Sequence, residues 1–269
     1  MMNLILLPCE IGSNQGGNPA MSAFKKAILS GLDKTQILDR LRGLKYKSES
    51  HSQFGEDVHI EGYYRRLKHE LSVEVNDGYI VDIGAFSPIM HSNSYNFFKR
   101  GWKSINIDPT PGTKNRFDRI RSSDINLELA VASVEGVSTF YVFGRPSVWN
   151  TMSETAAQVA EELTGIRPEK VPVQIRRLDS ILDEFAPKDK KFEILSIDAE
   201  GLDEDILKSS NFSKYRPRIV LVEVHSAELN NISQHPVVSL MYSEKYVLHS
   251  WINPNFMFVD AEYSLHRDI

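Results

Sequence analysis

The chain has 269 residues, of which 41% are hydrophobic and 25% are charged, and its formal net charge is −5, as is typical of a globular protein with one large α/β domain. The acidic balance argues against a nucleic-acid partner, because phosphate binding needs a basic face. The single cysteine, Cys9, excludes an internal disulfide and a cysteine metal cage, and it favours a cytoplasmic location.

The start of the chain differs in pattern from the rest. The apolar run at residues 4–7 has no basic flank and is too short to cross a bilayer, so it predicts neither a signal peptide nor a transmembrane segment. Apolar residues at helical spacing over residues 21–44 predict two short helices. We therefore divide the chain into a helical and flexible appendage, residues 1–50, and a main domain, residues 51–269. The appendage is predicted either to cover a sheet edge or to mediate a homodimer.

A short apolar run, residues 79–83, carries Asp82 and leads into Gly84 and Ala85. It predicts a buried parallel strand followed by a tight turn, with a helix starting near Ser94. A second short strand ends on Asp108, which lies 26 residues after Asp82. Strand, glycine turn and helix open a nucleotide-binding α/β unit, in which an acid at the end of the second strand accepts hydrogen bonds from ribose.

The middle of the chain predicts additional strands. Residues 126–132 predict a third strand, and residues 137–143 and 171–177 alternate polar and apolar side chains as exposed antiparallel strands do. Pro172 predicts that the last of these is an edge strand, because proline cannot donate to a ladder. Residues 144–169 are predicted to include a lid or substrate loop, and a packed surface flap is the alternative.

Two more apolar strands end on potentially functional side chains. Residues 192–197 are followed by Asp198, and residues 218–225 end with Glu223 and His225. The alternation of strands and helices predicts a doubly wound, mostly parallel sheet with helices on both faces. Ligands of such sheets bind at the carboxyl ends of the strands, where these acids and Asp82 and Asp108 are all expected to lie.

The turn at Gly84 lacks the G-x-G-x-x-G pattern of dinucleotide sites, and the chain has no G-x-x-x-x-G-K-[ST] loop. A ribose acid without a phosphate-binding glycine array favours a nucleoside cofactor that has no phosphates, and S-adenosylmethionine is the common one. Two alternatives remain open: a nicotinamide-dinucleotide-dependent Rossmann oxidoreductase or epimerase, and a non-catalytic cofactor-binding module.

Five segments recur in the order of a known family: Ser52-Gln53-Phe54-Gly55-Glu56-Asp57, Val81-Asp82-Ile83-Gly84-Ala85, Ser92-Asn93-Ser94-Tyr95 with Gly101-Trp102, Ile107-Asp108-Pro109 and Ile197-Asp198-Ala199-Glu200-Gly201. Through them the chain resembles the FkbM family of S-adenosylmethionine-dependent methyltransferases, over roughly residues 52–259. The chain departs from the usual family turn at residues 86–88, where Phe-Ser-Pro follows Ala85.

The resemblance implies a class I (Rossmann-like) methyltransferase fold with a seven-stranded sheet whose last strand is antiparallel. It also implies methyl transfer to a hydroxyl of a sugar, sugar nucleotide, glycan or glycosylated natural product. The same resemblance implies that Gln53 and Ser94 help to bind the cofactor. The predicted cofactor-binding residues are Gln53, Asp82, Gly84, Ala85, Ser94, Asp108 and Pro109.

Methyl transfer to an alcohol needs a general base or a metal ion, because a sugar hydroxyl is a poor nucleophile near neutral pH. The predicted catalytic residues are Asp198, His225 and His91. Oxygen ligands with one histidine suit Mg²⁺, Mn²⁺ or Ca²⁺, so Asp198, Glu223 and His225 are also a candidate metal site. The sequence leaves the base and the metal as open alternatives, and it does not identify the acceptor.

Overall fold

The computed structural model describes residues 48–199, 201–224 and 227–265. The predicted appendage, residues 1–50, lies almost entirely outside the described residues, and so does His225. The helices of the appendage and its role in a homodimer therefore stay predictions.

Short apolar segments of the main domain form strands, and three of them, β1, β4 and β10, are buried along their whole length. In chain order they are β1 (Tyr79–Ile83), β2 (Lys103–Ile107), β3 (Ile125–Leu127), β4 (Ala130–Val131), β5 (Gly136–Val142), β6 (Glu169–Arg176), β7 (Phe192–Ile197), β8 (Ile219–Glu223), β9 (Tyr246–Ile252) and β10 (Asn255–Asp260).

Within the described residues, the main sheet has seven strands in the order β3-β2-β1-β7-β8-β10-β9. The first five run parallel to one another, whereas β10 runs antiparallel between β8 and β9. The chain leaves β1 for β2 on one side and reaches β7 later on the other side. A mostly parallel sheet binds ligands at such a switch point, above the carboxyl ends of its strands. The prediction of a mostly parallel α/β sheet is confirmed.

Helices cover both faces of this sheet. They are α1 (Glu56–Leu71), α2 (Tyr95–Phe98), α3 (Thr113–Ile120), α4 (Glu154–Thr164), α5 (Leu178–Phe185), α6 (Asp203–Ser209) and α7 (Pro236–Ser243). Successive strand residues point to opposite faces, so Ile80 packs with α1 and α2 whereas Val81 packs with α5, α6 and α7. None of the helices in the described ranges combines the length and the apolar character needed to cross a membrane.

A second sheet, in the order β4-β6-β5, corrects two details of the prediction. The predicted third strand, residues 126–132, is divided between β3 in the main sheet and β4 in the small one. The strand with Pro172 is central and not an edge, because β6 pairs with β5 on one side and with β4 on the other. Proline is tolerated there because β4 pairs with Ile175 and Arg176 alone and does not reach Pro172.

Candidate active site

A cavity of about 310 Å³ opens at the carboxyl ends of β1, β2, β7 and β8. The predicted site residues on its wall are Gln53, Gly84, His91, Asp108, Pro109, Asp198 and Glu223. Three predicted cofactor residues, Asp82, Ala85 and Ser94, do not line it and are buried behind the wall, with exposures of 3%, 2% and 0%. His225 lies outside the described residues.

Gly84 brings three strand ends together at this wall. Its backbone has a φ of +77°, a conformation that favours glycine, and its N–H donates to the Ile107 carbonyl at 2.9 Å. A Cβ atom at Gly84 would lie 1.7 Å from the Asp198 carbonyl oxygen. The turn after β1 therefore packs directly on the backbone that follows β7, and this contact leaves no room for a side chain.

Asp108 is held rigidly at the end of β2. Its carboxylate accepts hydrogen bonds from the Phe86 N–H at 2.9 Å, the Thr110 N–H at 2.8 Å and the Thr113 hydroxyl at 3.3 Å. Burial raises the pKa of Asp108, and these hydrogen bonds oppose that rise. The carboxylate also receives a hydrogen bond from the Thr110 side chain, and Asp108 lies on the cavity wall.

The loop after β1 places a strained aromatic pair on the wall. Phe86 and His91 both have left-handed backbones, with φ of 51° and 54°, and their rings stack at 5.6 Å between centroids. Left-handed φ is uncommon for residues other than glycine, and such strain concentrates at ligand sites. His91, a predicted base, therefore lies at the cavity with its ring held against Phe86.

Asp198 and Glu223, which follow β7 and end β8, form a pair of carboxyl groups on the same cavity. The two side chains share a hydrogen bond, and burial followed by the Glu223 charge raises the pKa of Asp198 well above its ordinary range. The negative charge of Asp203 also raises the pKa of Asp198. The Asp203 carboxylate itself accepts hydrogen bonds from the Ala199 and Gly201 N–H groups, at 2.8 and 3.1 Å. The dyad therefore retains a proton at higher pH than an ordinary aspartate does.

The predicted metal site is only partly described. Asp198 and Glu223 meet as predicted, but the third predicted ligand, His225, lies outside the described residues. Among the residues that are described, no group of three or more His, Cys, Asp or Glu side chains is arranged to hold a metal ion. The metal site therefore stays a prediction.

Gln53 reaches the wall because acids at the start of α1 tie its segment to two other elements. Asp57 accepts from the Asn96 amide at 2.6 Å, and Glu56 accepts from the Asn255 amide at 2.7 Å. Asn255 begins β10 and pairs with Glu223 in the sheet. These buried hydrogen bonds fix Gln53 beside the strand ends.

Sequence reasoning missed the apolar side of the cavity. It is formed by apolar residues in or next to the small sheet and by the loop at residues 147–152, with Leu129, Ala130, Val131, Phe140, Val148 and Met152 on the wall. Asn150 anchors the loop: its amide donates to the Thr110 hydroxyl at 3.2 Å and accepts from the Phe143 N–H at 2.8 Å. The predicted substrate loop thus lies on the cavity, but no residue-type signal identified the strand residues beside it.

The fold and the cavity define a class of protein: an α/β domain with a cavity at the switch point of its mostly parallel sheet, where such folds bind ligands, and with an acid at the end of the second strand. The family model described as Methyltransferase FkbM domain matches residues 82–248. The chain therefore belongs to the FkbM methyltransferase family, as its resemblance predicted, although the Gln53 segment lies before the matched range. Comparison with the curated proteins and with the solved structures gives no match.

Proposed function

We propose that this protein transfers a methyl group from S-adenosylmethionine to a hydroxyl oxygen of a sugar, sugar nucleotide, glycan or glycosylated natural product. Membership of a methyltransferase family supports methyl transfer over the nicotinamide alternative. The sheet order, with one reversed strand inserted next to its end, agrees with a class I methyltransferase fold.

The chemistry of the cavity wall fits S-adenosylmethionine. Asp108 offers a carboxylate to ribose hydroxyls, and the aliphatic residues beside Pro109 offer an apolar surface to a base. Within the described part of the chain, no lysine or arginine lines the cavity, so this wall has no cationic side chain for a pyrophosphate. Gln53, Gly84, Asp108 and Pro109 would hold the cofactor directly, and the cofactor supplies an electrophilic methyl group on a sulfonium.

The observation that carries the proposal is the Asp198–Glu223 dyad on the wall of this cavity. A general base works best when its pKa lies near the working pH, and burial and the Glu223 charge shift the pKa of Asp198 upward from its ordinary acidic value. Asp198 in its ionised form accepts the proton of the acceptor hydroxyl as its oxygen becomes nucleophilic. His91, which also lines the cavity, is the alternative base.

The same two carboxylates, with His225, would alternatively hold Mg²⁺, Mn²⁺ or Ca²⁺. Such an ion would lower the pKa of a bound hydroxyl and reduce the need for a strong base. In both versions Asp198 acts on the acceptor and not on the cofactor.

Asp198→Asn tests this assignment. Turnover on a panel of hydroxyl acceptors, measured as formation of S-adenosylhomocysteine, should fall by about 10²-fold or more, because a positioned base contributes about 10²–10⁴-fold. The calorimetric affinity for S-adenosylhomocysteine should stay near that of the wild type. Glu204→Gln is the control, since it also removes one negative charge but lies on α6 in an exposed pair with Lys208.

Three results would contradict the proposal. A large loss of S-adenosylhomocysteine affinity in Asp198→Asn would move Asp198 into the cofactor site. Full turnover by that variant would remove it from proton transfer. Cofactor binding by the wild type without turnover on any acceptor would favour the non-catalytic module.

A further inference from the structure

A buried arginine outside the cavity is connected to Asp82. Arg121, which follows α3, is 0% exposed and lies between the rings of Phe98 and Phe117 at 5.0 and 5.6 Å. Its Nε donates to Asp124 at 2.8 Å. Its remaining hydrogen bonds go to hydroxyl oxygens: Ser94 at 2.9 Å, Ser92 at 3.3 Å and Ser104 at 2.9 Å.

The direction of these hydrogen bonds is set by chemistry. A guanidinium group donates and never accepts, so the Ser94 oxygen must accept from Arg121. The hydrogen of the Ser94 hydroxyl is then free to point away from Arg121, and Asp82 Oδ2 lies 2.7 Å from the same oxygen. Two other possible acceptors, Ser92 Oγ and Asn106 Oδ1, are more distant at 3.3 and 3.4 Å. Ser94 therefore donates to Asp82.

A second hydroxyl, that of Ser196, contacts Asp82 in the same way as Ser94 does. The Asn93 amide donates to the Ser196 hydroxyl at 3.0 Å, and Ser196 is hydrogen-bonded to Asp82. Because an amide N–H also only donates, Ser196 presents its own hydrogen to the carboxylate. Two hydroxyl groups, each oriented by a donor behind it, thus point their hydrogens at Asp82.

We propose that Arg121 and Ser94 are positioning residues that keep the buried Asp82 ionised, so that its negative charge favours the cationic amino-acid end of the cofactor. The inference rests on the proposed function. It changes the role that the family resemblance implies for Ser94, from a direct cofactor contact to a connection between Arg121 and Asp82. Ser94 is fully buried and absent from the cavity wall, which agrees with this change.

Asp82 lies directly behind the Ile83 and Gly84 wall, and its charge reaches the cavity, because it contributes to raising the pKa of Asp198. The charged groups that face Asp82 are Arg121 after α3, Asp108 after β2 and Asp198 after β7. Burial raises the pKa of Asp82, whereas Ser94, Arg121 and Ser196 lower it. Removing any one of these three groups should therefore raise the pKa of Asp82 further.

The test compares Ser94→Ala with Ser104→Ala. Both variants remove one buried hydroxyl that accepts from Arg121, but Ser104 makes no hydrogen bond to Asp82 in the described structure. Binding of S-adenosylhomocysteine is measured by calorimetry as the pH is lowered from about 7, where its amino group is mostly protonated. Wild-type affinity should fall as the pH decreases through the pKa of Asp82.

In Ser94→Ala the loss of affinity should begin about one pH unit higher, because a hydrogen bond to a charged group is worth about one pKa unit or more. At pH values below both midpoints this variant should bind about tenfold more weakly than Ser104→Ala, and the two should converge at pH values above both midpoints. Asn93→Ala, at a half-buried position, is the second variant if Ser94→Ala does not fold, and it should shift the midpoint in the same direction through Ser196.

Equal pH midpoints in Ser94→Ala, Asn93→Ala and Ser104→Ala would overturn this inference while leaving the proposed function intact. A general loss of affinity at every pH would also overturn it, since that result indicates structural damage and not a change in ionisation. Failure of the wild type to bind S-adenosylhomocysteine at any pH would overturn the proposed function and this inference together.

Discussion

Gly84→Ala is the sharpest structural test of how the cavity is built. The new Cβ would lie 1.7 Å from the Asp198 carbonyl oxygen, and a Cβ contact needs at least 3.0 Å, so the two backbones must separate by 3.0 − 1.7 = 1.3 Å or more. The left-handed φ of +77° adds about 1–2 kcal/mol for a residue other than glycine. Overpacking of a tight contact adds about 1–3 kcal/mol, which makes a total of about 2–5 kcal/mol.

Gly101→Ala is the matched control. Gly101 has a φ of +88°, and nothing lies within 4 Å of the Cβ that would be added there. This variant isolates the cost of the left-handed backbone, about 1–2 kcal/mol. The entropy that alanine removes from the unfolded chain is common to both variants and cancels in the comparison.

The assay is chemical denaturation of each variant, followed by calorimetric binding of S-adenosylhomocysteine. Gly84→Ala should be destabilised more than Gly101→Ala and should lose affinity, because the turn after β1 and the segment after β7 both form the wall. Equal destabilisation of the two variants, with affinity retained, would refute the argument that Gly84 is required by the Asp198 backbone.

Three further predictions concern the cavity. Glu223→Gln removes the charge that helps to raise the pKa of Asp198, so the acid limb of the pH–rate profile should move about one unit lower; an unchanged or higher midpoint would contradict the dyad. Asn150→Ala removes the hydrogen bond to Thr110 and should weaken S-adenosylhomocysteine binding severalfold, whereas unchanged affinity would show that the loop is held by other contacts. EDTA should abolish turnover, restorable by Mg²⁺, Mn²⁺ or Ca²⁺, if a metal acts there; activity unaffected by chelation would leave the dyad as the base.

The sequence predicts the parts of this site that depend on strands. Apolar runs that end in acids indicated where parallel strands finish, and the carboxyl ends of such strands meet at one edge of a sheet. Asp108, Asp198 and Glu223 lie on one cavity for that reason. The sequence also predicted the turn at Gly84. It did not show why glycine is needed there, because the Asp198 carbonyl that excludes a side chain lies more than a hundred residues later in the chain.

The parts that depend on side-chain direction were not predictable. Asp82 stands one residue before the wall residue Ile83, and successive strand residues point to opposite faces, so Asp82 lies behind the wall. The prediction that Pro172 marks an edge strand was wrong for a related reason. The short β4 pairs with Ile175 and Arg176 only, and the length of β4 cannot be predicted from the sequence of β6. The aliphatic residues on the cavity wall carry no polar signal at all.

The four acids at the sheet edge look alike in the sequence, yet the structure treats them in two ways. Asp108 receives hydrogen bonds from three residues, and Asp82 receives two hydroxyls supported by Arg121 and Asn93, so hydrogen bonds stabilise the charge of both. Asp198 instead faces Glu223, and burial and neighbouring carboxylates all raise its pKa. Environments that separate the pKa values of similar groups identify acid–base roles. Hydrogen bonds at Asp82 and Asp108 oppose the rise in pKa that burial causes, whereas the carboxylates around Asp198 add to it, so Asp198 is the best suited of the three to exchange a proton.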